Sequence, residues 1–174
     1  KEQVPIITGV DTRALTKILR NFGTMPAVIN CGNDIKTEQI KKTLKLIPFQ
    51  NKNLVKQVSI KQTKLYNGGK RKIIAVDCGM KENIIRSLLT FNLTIKCVPF
   101  DYDYTTEYFD GVILSNGPGD PTECQTTIKT LRKAIKFKKP IFGICLGTQI
   151  MALAGGGKTY KLPFGHRGQN QPCI

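Results

Sequence analysis

Residues 140–149, PIFGICLGTQ, place a cysteine two positions from a glycine on either side. Gly143, Cys145 and Gly147 have the G-x-nucleophile-x-G spacing of a nucleophile elbow. That turn is a tight strand-to-helix junction that lifts a reactive side chain while small neighbours let backbone and substrate approach. A thiol gains from such a position. The following segment, LGTQIMALA, reads as a helix whose unpaired first amides and positive dipole end favour the thiolate of Cys145. The amide of Leu146, directly after the nucleophile, would point at an oxyanion developing on an attacked carbonyl. The plainer alternative is an inert cysteine at a βα turn, with glycines for packing.

A second loop strengthens the chemical reading. SNGPGDP, 115–121, holds two glycines and two prolines in seven residues. A loop so rigid and so short of side-chain bulk can bring backbone N–H groups close to a ligand, as an oxyanion hole requires. GGGKT, 155–159, resembles a phosphate loop only in passing. The phosphate-binding pattern needs a further glycine at the position of Ala152, and strand–loop–helix order, whereas this run follows a helix. It is read as a helix stop. His166 is the one histidine. A general base must come within hydrogen-bond reach of the thiol, and the helix and GGGKTYKLP carry His166 away from the strand ends. It is read as structural or surface.

The elements that position these loops follow from periodicity. In DTRALTKILRNFG, Ala14, Leu15, Ile18 and Leu19 form one stripe, with Asp11 at the start and Gly23 as a stop. In TEQIKKTLKLIP, Ile40, Leu44 and Ile47 share a face that Pro48 ends. Two such helices are too few for a core. Residues 50–71 read as a basic linker with one short extended segment, closed by Asn-Gly-Gly. From Lys72 the pattern becomes strand, helix, strand, helix: KIIAVD (72–77), ENIIRSLLTF, TIKCVPF (94–100), GVILS (111–115), CQTTIKTLRKAIKF and PIFGI (140–144). GVILS is apolar throughout and therefore central. The fold class is α/β, an open, mostly parallel sheet with helices on both faces. Ligands in such sheets sit beyond the carboxyl ends of the strands, which nominates loops 77–81, 115–121 and 144–147.

Bulk properties exclude several classes. No apolar run reaches membrane-spanning length, and the start KEQVPIITGV has no export pattern. The six cysteines lack metal-ligand spacing, so no metal site is expected, and free thiols in a reducing compartment are. That points to the cytoplasm, with mitochondria also compatible. NLT, 92–94, matches a glycosylation acceptor that only export would use. The net charge is +15. It lies mostly in residues 1–72, with 15 Lys/Arg against 4 Asp/Glu, while residues 73–174 hold 12 against 8. Scattered lysines without interleaved arginine and aromatics read as solvated faces, so no nucleic-acid partner is expected.

LSNGPGDP followed by PIFGICLGTQ resembles the class I, triad-type glutamine amidotransferases. ITGVDTRALTKILRNFGTM, IIAVDCGMKENIIRSLL and GGGKTYKLPFGHRGQNQPCI are similar to the glutaminase part of carbamoyl-phosphate synthetases, most of all the eukaryotic fused enzymes. The resemblance covers nearly the whole chain in order. It implies that residues 1–49 end a small N-terminal domain, 50–71 link, and 72–174 begin an amidotransferase domain. It makes Cys145 the nucleophile that attacks the glutamine carboxamide, releases ammonia and forms a glutamyl thioester. Gly117, Gly119 and Leu146 would hold substrate and oxyanion through backbone groups, and Gln149 would contact the bound glutamine. The implied partner is a synthetase large subunit or a fused synthetase domain, where ATP and Mg act. No cofactor is implied in this segment.

There are departures from the family pattern. Thr148 stands where close relatives usually carry His, and Ala27 where they often have Gly. The family's His-x-Glu pair lies downstream of RGQNQP, beyond Ile174, so the segment alone is expected to supply half a triad and not to turn over glutamine. Two alternatives stay open: a cysteine hydrolase of another class, and a non-catalytic interaction or regulatory module of a synthetase. Some relatives of these synthetases have replaced the nucleophile and use free ammonia; the intact Cys145 argues against that version.

Overall fold

The structure is a computed structural model and describes residues 6–23, 25–30, 36–46 and 53–162. The chain divides into two units, residues 1–50 with 160–174, and residues 51–159. In the first unit, α1 (Thr12–Phe22) and α2 (Thr37–Leu46) are the two helices that the spacing predicts. Asp11 starts α1 as read: its Oδ1 accepts from the Ala14 amide at 2.9 Å, satisfying one of the donors a helix start leaves open. Gly23 stops it with φ at +79°. No described residue of either helix is buried, as expected of two helices without a core. Ile47 and Pro48 lie outside the described residues.

The second unit is a five-stranded sheet. Its elements are α3 (Leu54–Val58), β1 (Lys64–Tyr66), β2 (Lys72–Asp77), α4 (Glu82–Leu89), β3 (Thr94–Pro99), β4 (Gly111–Leu114), α5 (Gln125–Ile135), β5 (Ile141–Gly143) and α6 (Leu146–Ala154). The order across the sheet is β1-β3-β2-β4-β5. β1 runs antiparallel to β3 and every other pairing is parallel, with Val76 in register with Val98 on one side and Leu114 on the other. All four residues of β4 are buried, which is why GVIL is apolar at every position rather than alternating. β4 is interior, and β2 is the middle strand.

Helices cover both faces. α4 lays Ile85 against Ala75, Ile95, Cys97 and Ile113. α5 and α6 bring Ile128, Leu131, Leu146 and Ile150 to the opposite face, onto Ile74, Val76, Val98 and Leu114. After β2 the chain moves to β3 on one side and then returns past β2 to β4 on the other. The strand order therefore reverses between β2 and β4, and the crevice beyond their carboxyl ends is where an open α/β sheet takes its ligand.

That return, residues 100–110, has only a 3-10 turn at Tyr104–Thr106 and no α-helix. Tyr104 and Phe109 fill it edge to face, ring centres 5.8 Å apart. Glu107 then pins it to two strands at once. Its carboxylate accepts from Lys72 Nζ of β2 at 2.8 Å and from Lys96 Nζ of β3 at 2.7 Å, with the Tyr102 hydroxyl donating at 3.0 Å. Partial burial pushes the Glu107 carboxyl up, but the hydrogen bonds from Lys72, Lys96 and Tyr102 together outweigh it and hold the group below its ordinary value.

The structure corrects the reading of residues 50–71 as a linker. Residues from 51 onward cluster with the sheet. α3 buries Val55, Ser59 is 4% exposed, and residues 64–66 form the edge strand β1. A helix of five residues gives too short a window for a periodic signal, while the short extended segment read in this stretch has its counterpart in β1.

Two measurements test this packing. Glu107→Gln should destabilise the protein by roughly 1–2 kcal/mol near neutral pH, since two lysines lose a charged acceptor. Because the folded-state value of Glu107 is depressed, its contribution is present above the ordinary carboxylate range and lost as pH falls from there down through the depressed folded value. The variant's unfolding midpoint should accordingly converge on wild type in acid. Tyr104 carries a buried hydroxyl with no hydrogen-bond partner among the described residues. Tyr104→Phe should leave thermal stability unchanged or raise it by up to about 1 kcal/mol.

Candidate active site

Cys145 stands between β5 and α6 with φ +53° and ψ −108°. Two other non-glycine residues, Asn92 and Lys138, share the positive φ. Each lies just past a helix end, with its amide donating back to Leu89 and Ile135 respectively, where a left-handed residue is routine. Cys145 instead opens a helix, where it is not. Such a backbone costs on the order of 1–3 kcal/mol and persists only where the surroundings impose it. The thiol is exposed and stands at the helix start, as the spacing of PIFGICLGTQ predicts. Leu146, the first residue of α6, has its side chain 1% exposed, and its amide lies ahead of the intrahelical ladder.

The glycines around it are sites of backbone contact. A Cβ on Gly147 would lie 2.4 Å from the Leu114 carbonyl oxygen, and one on Gly143 would lie 2.7 Å from the Thr148 nitrogen and from the Met151 sulfur. The first turn of α6 thus rests directly on the ends of β4 and β5. Gly117 brings in the second loop: a Cβ there would lie 2.1 Å from the Cys78 carbonyl oxygen and 2.7 Å from Leu146 Cδ2. Gly119 differs. It has φ +87°, and its nearest neighbour would be Leu54 Cβ at 3.5 Å.

Polar bonds stitch the loops together. The Ser115 hydroxyl, fully buried, accepts from the Cys78 amide at 2.9 Å. Asn116 donates to the Gly79 carbonyl at 3.1 Å and accepts from the Lys81 amide at 3.3 Å. Asp77, at the end of β2, accepts from the amides of Gly79 at 2.8 Å and Met80 at 2.6 Å. Its other oxygen takes the Ile60 amide at 2.9 Å. Residues 53–60 act as a strap: Asn53 donates to the Glu123 carbonyl at 2.9 Å, and the Ser59 hydroxyl accepts from the Phe100 amide at 3.1 Å. Sequence reasoning missed Asp77, Ser115, Asn116 and the strap. A terminal Asp on an apolar strand and a Ser before Asn-Gly-Pro are turn formers by type, and that was the only available sign.

The structure therefore gathers loops 77–81, 115–121 and 144–147, with Gly117, Leu146 and Cys145 adjoining one another. Gln149 lies in the first turn of α6, exposed, its amide donating to the Cys145 carbonyl at 3.3 Å. His166 lies outside the described residues. The other described cysteines are unsuited to nucleophilic work. Burial pushes the thiols of Cys97 and Cys124 up to about 11 and raises that of Cys78 further. Among the described residues no group of three His, Cys, Asp or Glu could hold a metal ion. No helix among them is long and apolar enough to cross a membrane.

The two loop glycines make a paired test. Gly117→Ala drives a methyl into backbone and should lower the unfolding midpoint sharply, by more than about 3 kcal/mol in stability or by failure to fold. Gly119→Ala makes only ordinary van der Waals contact with Leu54 and meets the strain of its φ, worth about 1–2 kcal/mol. Thermal denaturation of the two variants side by side checks the order.

Residues 74–174 match the family described as Glutamine amidotransferase class-I. The chain is 48% identical over 178 residues to the Multifunctional protein CAD of Squalus acanthias, covering 98% of this chain and 8% of that one. It is 42% identical over 179 residues to the Carbamoyl phosphate synthase arginine-specific small chain of Aspergillus niger, covering 100% of this chain and 39% of the other. It is 40% identical over 177 residues to Carbamoyl-phosphate synthase [ammonia], mitochondrial, of Homo sapiens, covering 100% and 11%. The chain thus spans between 8% and 39% of the length of these relatives. With more than half its residues inside the family match, the chain belongs to the class-I glutamine amidotransferases.

Proposed function

We propose that the chain belongs to the glutaminase component of a carbamoyl-phosphate synthase, with Cys145 as its nucleophile. The observation that carries the chemistry is the backbone of Cys145, an exposed thiol held at φ +53° on the first turn of a helix. The Cys145 thiolate adds to the carboxamide carbon of glutamine, and the charge that develops on oxygen is met by the Leu146 amide and backbone donors of the 117–119 loop. The C–N bond then breaks, the nitrogen takes up a proton and leaves as ammonia, and a glutamyl thioester remains. Water cleaves the thioester to glutamate and returns the thiol.

In this reading Gly117 and Gly119 keep their loop free of side chains where the substrate lies, and Gln149 contacts the bound glutamine from the helix. Residues 1–49 end the component's N-terminal domain, and the strap from residue 51 belongs with the amidotransferase domain. The ammonia passes to a synthetase large subunit or fused synthetase domain, where ATP and Mg act. The name of the fungal relative, a small chain of a carbamoyl phosphate synthase, supports this partner. The compartment we assign is the cytoplasm, and the location of the tagged protein tests it against the mitochondrial name of the human relative.

A second reading has an observation in its favour. The human relative, 40% identical, is named for ammonia, so a synthetase component that does not hydrolyse glutamine is the competitor. The full-length protein with its synthetase partner separates the two. On our reading it forms carbamoyl phosphate from glutamine. Cys145→Ser should cut that rate by a factor on the order of a thousand or more, while the rate from ammonium salts stays within about twofold, since free ammonia bypasses the thiol. Product from ammonium and none from glutamine in the wild-type protein would establish the second reading.

A further inference from the structure

Thr148 makes a bond that the reaction above does not use. In α1 and α2, threonine hydroxyls donate in the usual helical way to the carbonyl four residues back, Thr16 to Thr12 and Thr43 to Gln39. Thr148, third residue of α6, reaches five residues back instead. Its Oγ1 donates to the carbonyl of Gly143 at 2.9 Å, on the last residue of β5. The side chain is exposed and belongs to neither hydrophobic cluster, so burial does not explain its pose.

The bond lies on the elbow itself. Every carbonyl from Gly143 to Cys145 is held. Gly143 is held by the Thr148 hydroxyl. Ile144 is held by the Gly147 amide at 3.0 Å, and Cys145 by the amides of Thr148 at 3.0 Å and Gln149 at 3.3 Å. The amide of Ile144 donates in turn to the Leu114 carbonyl at 3.0 Å. The peptide between Gly143 and Ile144 is therefore fixed at both its oxygen and its nitrogen, and the oxygen end depends on Thr148. One residue grips the chain on both sides of Cys145, through its hydroxyl before it and its amide after it.

We propose that Thr148 is a positioning residue for the nucleophile: its hydroxyl latches the end of β5 to the first turn of α6 and holds Cys145 in its left-handed conformation. This rests on Cys145 being the nucleophile. Thr148 touches no reacting atom. It acts by removing the freedom through which the 143–145 backbone would relax and carry the thiol away from Leu146 and the Gly117 loop beside it.

The test uses full-length protein carrying Thr148→Val, which keeps the shape and removes the donor, and Thr148→Ser, which keeps the donor. Glutamine hydrolysis gives kcat and KM, and peptide mass spectrometry gives the rate of Cys145 alkylation by iodoacetamide. Thr148→Val should lower kcat about fivefold, the worth of one hydrogen bond, with KM within about twofold. Alkylation of Cys145 should slow as well, and Thr148→Ser should restore both kcat and the alkylation rate. Equal behaviour of Val, Ser and wild type overturns the proposal, as does a loss shared by Val and Ser that tracks a lowered unfolding midpoint. A wild-type protein that does not hydrolyse glutamine defeats the reading of Cys145 as a glutaminase nucleophile; the alkylation rates still decide whether Thr148 sets the thiol.

Discussion

Backbone lies against backbone where the helix that Cys145 opens meets the strand ends, with no volume between for a Cβ. Gly147 against the Leu114 carbonyl, Gly143 against the first turn of α6, and Gly117 against Cys78 and Leu146 are three contacts of one kind. They draw the carboxyl ends of β2, β4 and β5 together around the start of a single helix. The exposed thiol, the leading amide of α6 and the side-chain-free loop adjoin because of that proximity. Any side chain at these positions would prise the elements apart.

Such closeness has an energetic counterpart. A cysteine in the left-handed region works against the rest of the fold by on the order of 1–3 kcal/mol. What opposes it is close at hand: the bonded carbonyls on either side, and the burial of Leu146 and Ile150 with Leu114 in the larger core cluster. Burying each such leucine or isoleucine contributes about 1.5–3 kcal/mol. The balance favours the strained turn because the helix that follows it is anchored at its first residue and again one turn further on.

Much of this was legible in the residues, and for physical reasons. Runs such as KIIAVD and GVIL read as strands because a doubly covered parallel sheet demands apolar residues throughout. Asp11 and Gly23 marked the bounds of α1 because only certain side chains satisfy helix ends. The elbow announced itself through Gly143 and Gly147, since close packing excludes everything else. The strap did not. Its contributions are Val55 in the core, Leu54 beside Gly119, Val58 against Gly79, and the bonds of Asn53, Ser59 and Ile60. They come singly from a five-residue helix and its flanks, and a polar, lysine-dotted segment looks the same whether or not three of its groups reach across to a loop. Glu107 was hidden likewise, because the partners that give it meaning lie on two other strands.

The strand order has a consequence for how the chain acquires this arrangement. The elbow follows β5 and rests on the end of β4, which must itself be seated beside β2 after the chain has passed from β3 on the far side. Each of these parallel pairings closes a long loop, and such pairings form slowly compared with local helices. The strained turn therefore has nothing to hold it until the sheet is nearly assembled. A chain in which β2, β4 and β5 are not yet paired carries Cys145 as an ordinary flexible cysteine, and the geometry of the turn waits on those pairings.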